Sequence, residues 1–244
     1  MEKKYTYEDF LEIIKALRSE NGCPWDREQT HDSLKPCMTE EAAELIAAIR
    51  IYDKTGNAEN LLEELGDVLL QVVMHAQIAD EEGLFTMEDV VNHVAAKMVR
   101  RHPHVFGEVQ ADTSVQVLKN WEEIKKQEKE GKSWIESPLK EIPKELPSLA
   151  RAPKVLKKAD KLYGRSSSLK EDIAVLKEAV SYMEELQEEL KKEEMEKQLG
   201  DTLMAVCDIA RMYKLFPEEI LTDRIEDFIE GCENNSENKE NALK

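Results

Sequence analysis

The sequence predicts an all-α fold, and three observations carry that prediction. Apolar residues recur at helical spacing along most of the chain, and no stretch alternates with period two. Hydrophobic residues make up 41% and charged residues 35%, a balance that suits amphipathic helices closed around a core. A long helical segment also occurs twice: LGDVLLQVVMHAQIA, from Leu65, is echoed by LGDTLMAVCDIARMY, from Leu199. The offset is 199 − 65 = 134 residues, and two related helical halves are its simplest account.

MEKKYTYEDFLEIIKAL starts polar, carries no secretory signal pattern, and runs into an amphipathic helix over roughly 6–20. Helices are expected near 38–52 and 58–82, with DKTGN (53–57) supplying the turn residues between them. Gly83 closes the second of these, and Thr86 with Asp89 forms the cap that opens a helix over 87–101. Another is expected near 114–130. Residues 133–153 contain Pro138, Pro143, Pro147 and Pro153, a density that breaks helices and marks a linker. Later helices fall near 150–163, 169–192, 195–214 and 217–231. The polar tail CENNSENKENALK is expected to be disordered. The expected organisation is therefore a module over 1–132, a linker over 133–153, a second module over 154–231 and a tail over 232–244.

The net charge of −18 opposes nucleic-acid binding, which needs a basic footprint to displace phosphate counterions. It does not oppose a phosphorylated small molecule held through divalent cations. No apolar run approaches the length of a membrane span. Cys23, Cys37, Cys207 and Cys232 are scattered, with no CxxC pair, and read as reduced thiols of a cytoplasmic protein.

EEAAE (40–44) and EELGD (63–67) flank the expected turn. Glu41 and Glu44 are three apart, as are Glu64 and Asp67, so each pair shares a helix face. With a rise of about 1.5 Å per residue, antiparallel arms of nearly equal length bring both pairs to the same height. Two carboxylates about 4 Å apart repel by roughly 4 kcal/mol at an effective dielectric near 20. The following run, Val68, Leu69, Leu70, Val72, Val73 and Met74, is apolar on nearly every side and is expected to be buried, which places the acids at a core rim. A divalent cation resolves the conflict, and all-oxygen ligands favour Mg²⁺ or Mn²⁺ over zinc. A solvated Glu-rich face is the competing reading.

KMVRRHPHVF sets Lys97 and Arg101 on one helical face with Arg100 beside them, and WEEIK sets Trp121 and Lys125 four apart. In so acidic a chain, these cations suit phosphate groups. They equally suit the negative end of a helix dipole, and Trp121 equally suits packing. CPWDREQTH (23–31) reads either as a loop that closes over a ligand or as a helix entry with Trp25 in the core.

CPWDREQTH, EEAAE, ELGD and KMVRRHPHVF, in that order and at these distances, resemble the MazG-type nucleoside triphosphate pyrophosphohydrolases. The later stretch ELPSLARAPKVLKKA is similar too, so the likeness covers about residues 8–230. The resemblance implies tandem all-α four-helix modules, assembly as a homodimer, and Mg²⁺-dependent hydrolysis of a nucleoside triphosphate to monophosphate and pyrophosphate, in nucleotide-pool sanitation or housekeeping. It implies Glu41, Glu44, Glu64 and Asp67 as metal ligands, with Glu40 or Glu41 as the base. It also implies Lys97, Arg101 and, more weakly, Arg100 on the triphosphate, with Trp121 and Lys125 closing the nucleotide pocket.

In the second copy Asp201 remains, but Gln198 stands for Glu64 and Lys197 for Glu63. Glu184, Glu185 and Glu188 form an acidic run, yet Glu188 lies only 10 residues before Gln198, against 20 from Glu44 to Glu64. RIEDFIEG stands where the basic segment would. The expectation is chemistry in the first module and a structural or dimerising second one. An HD-type phosphohydrolase lacks its upstream histidine here, and a di-iron bundle lacks its ExxH pairs. The rival from another class is a catalytically silent acidic scaffold or nucleotide-binding interaction protein.

Overall fold

The computed structural model describes residues 3–128, 137–165, 168–185 and 192–242. Among them, every regular element is helical. The chain divides into two compact units, residues 1–130 and 131–244.

The first unit begins with α1 (Tyr7–Arg18), opened by Thr6, whose hydroxyl accepts from Asp9 N while Asp9 Oδ2 accepts from Thr6 N. A short α2 (Pro24–Glu28) precedes α3 (Lys35–Thr55). Pro36 sits in the first turn of α3, where its missing N–H has no intrahelical partner to lose, so the helix starts earlier than the prolyl sequence suggests. Gly56, at φ +74°, ends α3 in the left-handed region, and α4 (Glu59–Glu81) returns antiparallel along it. The chain therefore turns at residues 56–58, and Asp53 to Thr55 remain helical. Next come α5 (Met87–Arg101), a single-turn α6 (Pro103–Phe106) and α7 (Ser114–Gln127).

Thr86 and Asp89 form the expected capping box at the start of α5, with N to Oδ2 at 2.9 Å and the reciprocal contact at 3.2 Å. Thr86→Ala should cost about 1 kcal/mol, a fall of roughly 3 °C in the first unit's melting temperature. A differential scan checks it, and an unchanged melting temperature contradicts it.

The first unit's core gathers Ile14, Leu34, Val73, Met74 and Ile78, with Phe10, Leu17, Cys37, Leu70 and Met87 packed around them. It joins α1, the start of α3 and the later half of α4. The earlier half of α4 is different: Leu62, Leu65 and Leu69 are exposed, as are Ile46 and Ile49 on α3. Leu69 thus departs from the expected burial of its run, whereas Val73 and Met74 fulfil it.

The second unit comprises α8 (Ser148–Tyr163), α9 (Leu169–Glu185), α10 (Lys192–Met212) and α11 (Pro217–Ala242). Pro147 caps α8 and Pro153 lies inside it, so the last proline of the presumed linker is helical. Near a helix start, its missing N–H removes one hydrogen bond without ending the helix. The backbone of α11 runs on to Ala242, through most of the stretch expected to be disordered, and no proline interrupts it after Pro217. Glu188 and linker residues 133–136 lie outside the described residues. Arg211 joins α10 to α8, with Nη2 at 2.8 Å from Asp160 and Nε donating to Asp208 at 2.6 Å.

Candidate functional site

The α3–α4 hairpin delivers three of the four expected ligands to one point. One carboxylate oxygen each of Glu41, Glu64 and Asp67 lie within 4.8 Å of one another. Glu41 and Asp67 are half-buried and Glu64 is 9% exposed. Glu44 and Glu40 are exposed, and their oxygens stand outside this set. Both nevertheless act on Glu41. Its carboxyl is held above the usual range by partial burial, then by the charges of Asp67, Glu44, Glu64 and Glu40.

Asn60 has no counterpart among the residues that spacing singled out. One turn before Glu64 on α4, its Nδ2 donates to Glu64 Oε1 at 2.7 Å. The other oxygen, Oε2, is buried with no partner among the described residues. A buried carboxylate oxygen without a donor is costly, and a cation satisfies it. An octahedral Mg²⁺, with bonds near 2.1 Å, spaces its oxygens by at most about 4.2 Å. Adjacent oxygens of that octahedron are only about 3 Å apart, so the trio, within 4.8 Å of one another, would close by up to about 2 Å on binding, and three hard oxygens with room for water fit Mg²⁺ or Mn²⁺.

The basic residues form a second group. Glu128, at the end of α7, draws in both arginines: Arg100 Nη2 is 2.7 Å from Oε1, and Arg101 Nε donates to Oε2 at 3.0 Å. The Arg101 hydrogen bond, with Arg100 behind it, pulls the Glu128 carboxyl down to about 2. The Arg101 guanidinium lies over the Trp121 ring, 6.0 Å from its centroid, a cation–π distance. Lys97 is half-buried and Lys125 exposed, and neither has an ion-pair partner among the described residues. Glu128 escaped the sequence reading because its pairing spans 27 residues and no local spacing signals it.

Trp25 is 60% exposed, which removes the reading of CPWDREQTH as a core plug. Arg18 holds that loop, with Nη1 donating to the Gln29 carbonyl at 3.2 Å and Nη2 pairing with Glu81 at 2.7 Å. His31 stacks on His75, ring planes 3° apart and Nδ1 atoms 2.7 Å apart. Burial, and then His31, push the His75 imidazole below its usual range. Cys23, Cys37 and Cys207 are free thiols.

The second unit repeats the hairpin in the same register. Glu178 lies 20 residues before Gln198, as Glu44 lies before Glu64, and it lines a pocket with Val175, Gln198 and Asp201. The acidic run at Glu184, Glu185 and Glu188 is therefore not the counterpart of EEAAE, and the chain is long enough for the same hairpin. At the 134-residue offset, Val175 stands for Glu41 and Gln198 for Glu64.

No helix among the described residues is long and apolar enough to cross a membrane. Residues 29–106 match the model of the MazG nucleotide pyrophosphohydrolase domain, a span that holds the carboxylate trio and both arginines. The nucleoside triphosphate pyrophosphohydrolase/pyrophosphatase MazG of Thermotoga maritima is 40% identical over 92% of this chain and 83% of its own length. The nucleoside triphosphate pyrophosphohydrolase of Escherichia coli is 38% identical over 82% of this chain and 76% of its own. The uncharacterised protein YabN of Bacillus subtilis is 44% identical over 91% of this chain, which spans 45% of that protein's length. With likeness this extensive, and with an all-helical architecture, the chain belongs to the MazG nucleotide pyrophosphohydrolase family, a family of hydrolases.

Proposed function

We propose that the first unit hydrolyses nucleoside triphosphates by the reaction NTP + H₂O → NMP + pyrophosphate, in the cytoplasm, as nucleotide-pool housekeeping. The observation that carries this reading is the convergence of Glu41, Glu64 and Asp67, with one Glu64 oxygen buried and unpartnered among the described residues. Those three would hold Mg²⁺, or Mn²⁺ in its place, with Glu44 adding its negative charge beside them. When bound, the ion supplies Lewis-acid polarisation of the α-phosphate and lowers the pKa of water beside it.

The protein's own groups do the remaining work. Glu40 or Glu41, neighbours on α3, takes the proton of the attacking water. Arg101 and Lys97, with Arg100, offset charge on the β- and γ-phosphates as the pyrophosphate leaves. Glu128 holds the two arginines extended until phosphate oxygens compete for them. Trp121 and Lys125 close the nucleotide side. Charge rather than base shape dominates this set, which favours broad base tolerance.

A second copy of this chain is proposed to cover the bare stripe of Leu62, Leu65 and Leu69 with Ile46 and Ile49. Leu199, Leu203 and Val206 repeat that exposed stripe in the second unit. A monomeric mass in sedimentation overturns the dimer.

A panel of normal and damaged NTPs and dNTPs with Mg²⁺, assayed for monophosphate and pyrophosphate, tests the reaction. Orthophosphate as first product means that the wrong bond was assigned. A silent scaffold gives no Mg²⁺-dependent heat with a non-hydrolysable triphosphate.

A further inference from the structure

The pocket of the second unit has a volume of about 190 Å³, more than ten times what one water needs. Its floor is buried and mixed: Leu156, Ala205, Asp172 and Asp208. Its rim is exposed and charged: Arg165, Lys197, Glu178 and Asp201. Val175 and Met204 add apolar wall between the two.

Metal is not what this pocket is built for. Two of the four hairpin carboxylates are gone, and Lys197 Nζ pairs with one survivor, Asp201, at 2.8 Å. Asp172 is the informative group. It is 7% exposed, and its Oδ2 is buried with no hydrogen-bond partner among the described residues. Asp208 beside it is already engaged by Arg211. Burial and the Asp208 charge hold the Asp172 carboxyl above its usual range. An N–H donor from a ligand relieves both effects.

The wanted ligand therefore combines an N–H donor for Asp172, an apolar-faced body for Val175 and Met204, and an anion for Arg165 and Lys197. A phosphomonoester carries close to two negative charges, which Arg165 and Lys197 match once its oxygens displace Asp201 from Lys197. A triphosphate would overload them beside the rim acids Glu178 and Asp201. We propose that the second unit binds a nucleoside monophosphate without metal, with the base on Asp172 and the phosphate at Arg165 and Lys197. The pocket stands apart from the reading of the first unit. The choice of ligand rests on that reading, since the monophosphate is its product.

Calorimetric titration of AMP, GMP, CMP and UMP into the full chain in EDTA tests this. The expected result is saturable binding of at least one, at one site per chain, weakened tenfold or more by Asp172→Asn and by the surface change Lys197→Glu. Both variants should keep Mg²⁺-dependent pyrophosphate release within twofold of wild type. Absence of saturable binding by all four overturns the proposal, as does binding that neither variant weakens, which would place the ligand elsewhere. Turnover without binding sinks this inference alone, whereas binding without turnover sinks only the first-unit reaction.

Discussion

Glu41→Gln and Glu64→Gln should each lower pyrophosphate release by at least about 10³-fold while leaving the helical fold intact. Each change removes one formal charge from a three-carboxylate site, and a neutral amide is a poor ligand for a hard, strongly hydrated cation. The fold is expected to survive because an acid at the rim of a core contributes little packing. For Glu41, metal-free protein gives a sharper readout. Its carboxyl sits above the usual 4.5, chiefly through burial and then through Asp67 and its other acidic neighbours. A carboxyl raised on folding favours the folded state only while protonated. That contribution is complete below about pH 4.5 and is lost as pH rises through the folded-state value. In EDTA at neutral pH, Glu41→Gln should therefore melt higher than wild type, and the gap should close as pH falls below about 4. Adding Mg²⁺ should reverse the order by raising wild type alone. Full activity in either variant, or equal Mg²⁺ stabilisation of wild type and Glu41→Gln, removes the metal assignment.

Arg101→Ala should lower kcat/KM by about 10²-fold, close to 2.7 kcal/mol of lost charge stabilisation. Arg101 is the better-anchored of the paired arginines. It bonds Glu128 through two nitrogens and lies over Trp121, and its side chain is 15% exposed against 53% for Arg100. A rigid, poorly hydrated fork suits phosphate oxygens, so Arg101→Lys should not restore the rate. Loss of the Glu128 pair also loosens α5 from α7, and Glu128→Gln separates that effect. It keeps both guanidinium groups while weakening their tether, and should leave kcat/KM within a few-fold of wild type. If Glu128→Gln is as damaging as Arg101→Ala, the arginine acts through helix packing rather than on phosphate.

The helices were readable because long amphipathic segments leave a strong periodic signal, and α5 follows its expected span of 87–101. The short α2 and α6 were not, since four or five residues carry no period. At the hairpin, i,i+3 spacing correctly put Glu64 and Asp67 on one face. The same spacing on α3 put Glu44 beside Glu41, yet only Glu41 joins the trio, because spacing places Cα atoms and leaves side-chain rotamers open. Asn60 and Glu128 were invisible for a related reason: a partner is chosen by tertiary contact. The second hairpin was misread by following composition. EELQE looks like EEAAE, but Glu178 alone keeps the distance to Gln198 that the facing helices demand.

That shared distance says something about how such a hairpin tolerates change. Replacing Glu41 by valine, or Glu64 by glutamine, alters one contact and leaves every neighbour where it was. Adding a single amino acid inside either helix would rotate all that follows in it by about 100° and turn a buried stripe toward water. A duplicated hairpin can thus discard its chemistry residue by residue while its length stays locked, so counting positions across the turn is a surer guide to equivalence than matching letters.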